Sequence, residues 1–191
     1  MENFTVKDLM VPLSEYATVP IGATLFEAIM ALEKAQEQFQ LTQYQHRAVL
    51  VLDGANRVVG KLSQFDVLRA IEPKNERMTR IKDMKKFGFS DAFITNLKRQ
   101  YKPEGVSVED LYVAAGKRPV EEFMQSPNIG EFVEENTPLE AAIHQLVIGT
   151  HLSLLVTSQG EMKGILRLSD VFAAIFHTMK KIEKKVTQGS P

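Results

Sequence analysis

The chain has 191 residues, 44% hydrophobic and 25% charged, with a formal net charge of −1. That balance gives no global attraction to nucleic acid or to a membrane surface, and the absence of cysteine excludes disulfides and thiolate metal sites, in keeping with a reducing cytosol. No apolar run approaches the roughly 18 residues of a membrane span, and Met1-Glu2-Asn3-Phe4 does not open a signal peptide, so the expectation is a cytoplasmic protein with a core of its own.

Val6-Lys7-Asp8-Leu9-Met10 reads as a short helical turn stopped by Pro12, followed by extended Ala17-Thr18-Val19-Pro20. A capping box, Thr24-Leu25-Phe26-Glu27, then starts a helix with Leu25, Ile29, Leu32 and Phe39 on one face and Glu33, Lys34 and Glu37 on the other. Ala48-Val49-Leu50-Val51-Leu52 is too continuously apolar for a half-exposed strand and predicts burial on both faces. Asp53-Gly54-Ala55-Asn56 supplies a turn, and a strand returns from Val58 to Leu62. It runs into Gly60-Lys61-Leu62-Ser63-Gln64-Phe65-Asp66-Val67, a strand-to-helix junction with a polar pair.

The same order recurs. Val120-Glu121-Glu122-Phe123-Met124 precedes Pro127, and Glu131-Phe132-Val133 is extended. Thr137-Pro138-Leu139-Glu140 predicts a second capping box with proline at the first helical position, and Leu139, Ile143 and Leu146 form its apolar stripe. Leu152 to Val156, a Ser158-Gln159-Gly160 turn and Met162 to Leu166 predict the second hairpin, which ends in Gly164-Ile165-Leu166-Arg167-Leu168-Ser169-Asp170-Val171. The offset between copies is 114 at Met10 and Met124 but 104 at Gly60 and Gly164, so about ten extra residues lie in the first copy, near Gln36 to Gln45.

The order β-α-β-β-α, given twice with G-h-x-[ST]-x-x-D closing each hairpin, resembles a pair of CBS domains, the Bateman module, over Thr5 to Ile71 and Lys117 to Met179. The resemblance implies an α/β (α+β) fold in which two repeats pack about a pseudo-two-fold axis with a helical insertion between them, bounded at 1–72, 73–116 and 117–191. It implies a sensor without chemistry of its own. Clefts between the repeats would bind an adenosine-containing ligand, AMP, ADP, ATP or S-adenosylmethionine, and pass a change of shape to a regulated partner.

The family's ribose-binding aspartate falls on Asp66 and Asp170, and its hydroxyl on Ser63, beside a helix N-terminus that favours anions. Ser63 and Asp66 also fit a simple capping box. In the second copy Arg167 replaces the hydroxyl and could either clasp a phosphate or pair with Asp170. His46-Arg47 resembles the His-Arg pair set against phosphates in some nucleotide-sensing members, and His151 aligns with Arg47; the plainer reading is solvated residues before a strand. Thr18-Val19 and Phe132-Val133 match the strand that lines the adenine pocket in the family.

Gly54 to Lys61 imitates a phosphate-cradling loop, but it has five residues between its glycines, and Leu62 stands where the magnesium-holding hydroxyl belongs. His46, His144, His151 and His177 show no metal-ligand spacing. Between the copies, Ser90 caps a predicted helix through Phe93, Ile94, Leu97 and Tyr101 that Pro103 ends, and Ser107-Val108-Glu109-Asp110 begins another closed by Gly116. From Lys74 to Lys102 the balance is +6, which fits a solvated helix face or contact with an acidic partner or nucleic acid. The family resemblance implies that two modules pair through their helical faces as a homodimer, an expectation motivated by Phe172, Ile175, Phe176, Met179 and Ile182, which make the last helix apolar enough to need cover beyond its own repeat.

Overall fold

A computed structural model of the chain describes residues 4–39, 46–71, 88–100 and 107–188. In chain order its elements are β1 (Val11–Pro12), β2 (Thr18–Pro20), α1 (Leu25–Phe39), β3 (Ala48–Leu52), β4 (Val58–Ser63), α2 (Gln64–Ile71), α3 (Asp91–Gln100), α4 (Val108–Gly116), β5 (Phe132–Glu134), α5 (Leu139–Gly149), β6 (Ser153–Ser158), β7 (Glu161–Arg167) and α6 (Leu168–Gln188). Short 3₁₀ turns at Val6–Asp8, Val120–Glu122 and Ile129–Glu131 lead into the strands. The basic residues from Lys74 to Lys86, with Lys102, Tyr101 and Pro103, and the extra residues of the first copy from 40 to 45, lie outside the described residues, as do the side chains of Phe39, Leu97, Lys98 and Arg99.

Each repeat builds its own sheet. In the first, β2 runs parallel to β3 and β3 antiparallel to β4; in the second, β5, β6 and β7 repeat that order. The second hairpin turns on Gln159 and Gly160, both at positive φ (53° and 81°), the mirror-image turn whose twist suits paired strands. β3 is buried on both faces because Val49 and Val51 face the helices of their own repeat while Leu50 joins Leu155, Ile165, Val11 and Tyr16 in a layer between the two sheets.

The repeats also trade their leading segments. β1 pairs antiparallel with β7, Val11 opposite Ile165 and Pro12 opposite Gly164, so the start of the first repeat is an edge strand of the second sheet. Symmetrically, Gln125 and Lys61 exchange two backbone hydrogen bonds of 2.9 Å. Upstream, Val6 N–H donates to Thr137 and Val120 N–H to Ala23, while Leu139 N–H donates to Phe4 and Leu25 N–H to Arg118. These pairs are related by the pseudo-two-fold axis, and they carry Val6 into the second core and Val120, with Ala115 of α4, into the first. The crossing accounts for the motif glycines: a Cβ at Gly164 would lie 2.3 Å from the Val11 carbonyl oxygen, and one at Gly60 would meet the Met124 side chain at 2.1 Å.

The caps differ between copies. Thr24 and Glu27 form the expected box, with Glu27 N–H donating to Thr24 Oγ1 at 3.2 Å and Thr24 N–H to Glu27 Oε2 at 2.7 Å. The second box does not form as the sequence suggests: Pro138, not Thr137, is the N-cap of α5, and no side chain caps it. Pro138 occupies the place of Thr24, and the Phe4 carbonyl accepts from the Leu139 amide at 2.9 Å, as the Arg118 carbonyl does from Leu25 in the first repeat. In the central segment Ser90 accepts from Phe93 N–H, and Ser107 boxes with Asp110, as their spacing predicts.

Candidate functional site

Two polar centres sit where each hairpin meets its last helix. In the first, the backbone turns from β4 into α2 at Ser63, whose amide and hydroxyl both donate to Asp66 Oδ2 (2.9 and 2.5 Å) while Asp66 N–H donates back to Ser63 Oγ (3.2 Å). This is a complete capping box, and it buries the carboxylate to 3% exposure. Gln125, brought in by the segment exchange, donates through Nε2 to Asp66 Oδ1 at 2.8 Å, and the Arg69 guanidinium lies 3.6 Å from the same oxygen. A carboxylate accepts about four hydrogen bonds, so Asp66 keeps little free capacity unless Gln125 moves.

A second cross-repeat contact lies beside it. Lys61 Nζ pairs with Glu131 Oε2 at 2.5 Å, and Asn128 donates to Glu131 Oε1 through its amide and side chain (3.3 and 3.0 Å). Burial works to raise the Glu131 carboxyl, but the Lys61 hydrogen bond and charge and the Asn128 amide outweigh it and hold the group below its ordinary range. His151 packs near by: a Cβ at Gly130 would lie 3.6 Å from its Nε2.

The second centre is built differently. Arg167 is 5% exposed and grips Asp170 with its fork, Nε to Oδ2 at 2.5 Å and one terminal nitrogen to Oδ1 at 2.7 Å. Its other terminal nitrogen lies 3.4 Å from Nδ1 of His46, which reaches across from the first repeat. The His46 ring is fully buried and meets Tyr16 edge-to-face, centroids 4.5 Å apart. Burial, and then the neighbouring Arg167 charge, push the His46 imidazole down to about 4; burial pushes the Tyr16 phenol up to about 12. A cavity of about 400 Å³ is lined by Asp170 together with Asp8, Met10, Val11, Pro12, Glu15 and His177 among others.

The candidate residues therefore divide. Ser63 and Asp66 meet; Arg167, Asp170 and His46 meet at the other centre. Arg47 is exposed, and its carbonyl accepts from Gln64 N–H at 3.1 Å, which ties its backbone to the start of α2. Val19 and Val133 lie in the two repeat cores, Thr18 is half-buried, and Phe132 is exposed at 38%. Tyr16, Lys61, Gln125 and Glu131 complete the two centres without any sequence signal of their own. No cluster of three or more potential metal ligands occurs among the described residues, and no described helix is long and apolar enough to cross a membrane.

A family model described as the CBS domain matches residues 6–73 and 120–177. Among solved structures, the fold is similar to that of a CBS domain-containing protein of unknown function from Bacillus anthracis, at 17% identity over 92% of this chain and 95% of that one, with a TM-score of 0.60. It is also similar to the CBS-pair protein CBSX2 from Arabidopsis thaliana, at 17% identity over 93% of this chain and 97% of that one, TM-score 0.58. A structure of CBSX2 in complex with AMP aligns at 20% identity over 93% and 99% of the two chains, TM-score 0.56. No curated protein matches the chain.

Proposed function

Since the chain belongs to the CBS domain family, we propose that it is a regulatory sensor which binds an adenosine-containing ligand, AMP, ADP, ATP or S-adenosylmethionine, at the cleft around Asp66 and signals to a partner protein. Family members are generally regulatory modules rather than enzymes, and a similar structure, CBSX2, is a complex with AMP. The observation that carries the reading is the buried carboxylate of Asp66 at the N-terminus of α2, with the Ser63 hydroxyl on it and Arg47 held at the neighbouring strand start. The carboxylate would accept from the ribose hydroxyls, the helix amides favour an anion, and Arg47 and Arg69 supply cations for phosphate. Phe132 and His151, near Glu131, would contribute to the surrounding walls, whereas Val19 and Val133 lie in the repeat cores.

Ligand entry has a structural consequence in this chain. A ribose that takes Asp66 Oδ1 displaces Gln125, whose backbone is bonded to Lys61 and whose segment leads to the rest of the second repeat. Binding would thus be felt at the seam between repeats.

The test is calorimetric titration of the parent and of Asp66→Ala with each of the four ligands. Losing a charged hydrogen-bonding partner typically costs about 1.5–3 kcal/mol, roughly one to two decades of affinity. The parent should bind at least one of them and Asp66→Ala should bind it that much more weakly; a parent that binds none removes the reading. A second reading, an interaction module with no small ligand, is favoured by the near-saturation of Asp66 by donors of its own chain.

A further inference from the structure

Arg167 stands where the first repeat has Ser63, and all three nitrogens of its guanidinium have partners within the chain. Both oxygens of Asp170 are engaged by the guanidinium fork, and the remaining side of the fork faces His46. The residues that close over it come from the other repeat, His46 and Tyr16, so the plug is held both by Asp170 in its own helix turn and by the packing of the two repeats. His46, kept neutral by burial and by the Arg167 charge, adds no repulsion.

We propose that Arg167 is the chain's own occupant of the second cleft: its guanidinium fills the place on Asp170 that a ribose would take, and phosphate-bearing nucleotides are admitted only at the Asp66 cleft. This specificity rests on the reading of the Asp66 cleft as an adenosine site, but the plug can be tested apart from it. Arg167→Ser recreates the hydroxyl of the first repeat and opens the Asp170 carboxylate.

The experiment counts AMP per chain, by calorimetric titration checked with native mass spectrometry, on parent and Arg167→Ser. One equivalent in the parent and two in the variant is the expected result. None in the parent and one in the variant also supports the plug, while sinking the reading of the first cleft. Two in the parent, an unchanged count in a folded variant, or no binding by either protein overturns the proposal. If Arg167→Ser does not fold, nuclear magnetic resonance of the parent decides. The Arg167 Nε–H signal, slowed in exchange by its ion pair, should persist unshifted at saturating AMP, and its loss or displacement overturns the assignment.

Discussion

Protonating His46 would set a second cation against Arg167 at a position with no exposure to water. Its imidazole falls from an ordinary 6.5 to about 4 on folding, so between those values the unfolded chain holds the proton and the folded chain does not. Stability is therefore full above about pH 6.5 and declines as the pH drops toward 4. Urea unfolding at pH 7 and pH 5 should show the parent losing on the order of 2 kcal/mol, and His46→Gln losing much less; the same loss in both would assign the acid sensitivity elsewhere. Burial also separates what is legible in single residues from what is not. Ser63 and Asp66 announce themselves by spacing, and the spacing alone admits both a cap and a ligand site. Arg167 was readable as a departure with two outcomes, and Asp170 is the one it takes. Gln125 reaches Asp66 across 59 residues of chain, and no local pattern records such a contact.

At the scale of elements, the two motif glycines meet different obstacles. Gly164 faces the backbone of β1, which can give way only by leaving the sheet, whereas Gly60 faces the thioether of Met124, a flexible side chain. Gly164→Ala should cost about 2 kcal/mol or more of stability and Gly60→Ala clearly less, as read from denaturant midpoints; the reverse order would show that β1 is not held by β7. Glu131→Ala offers a second check, since it leaves Lys61 half-buried without its partner. A loss of roughly 1–3 kcal/mol is expected in the same measurement, and no loss would mean that the pair does not bind the repeats together. The helices, hairpins and turns were legible because periodicity and turn chemistry are local. The cap of α5 falls one residue later than the Thr-x-x-Glu spacing suggests, because Pro138, which has no side-chain acceptor, takes the N-cap place that Thr24 holds in the first repeat.

For the whole molecule, Phe172, Phe176, Met179 and Ile182 on α6 are each more than half exposed, as are Phe65 and Leu68 on α2. We propose that a second copy covers the exposed apolar face of α6. Light scattering across a wide concentration range should give a dimer for the parent and a monomer for Phe176→Glu; a parent that stays monomeric throughout removes the proposal. Within one copy, the exchanged segments make each half dependent on the other. Chains cut between Gln100 and Ser107 should each fail to show cooperative unfolding alone and should regain it when mixed; a half that melts cooperatively by itself would contradict this. A single repeat would carry an arm with no sheet of its own to join, and its simplest closure is a second repeat offering the reciprocal arm. The chain is in this sense a swapped pair tied into one polypeptide. In a pair of identical repeats every substitution appears twice, so a serine could not stand at one junction while an arginine stood at the other. Joining the two removes that constraint, and the difference between Ser63 and Arg167 is a liberty that only a tethered pair possesses.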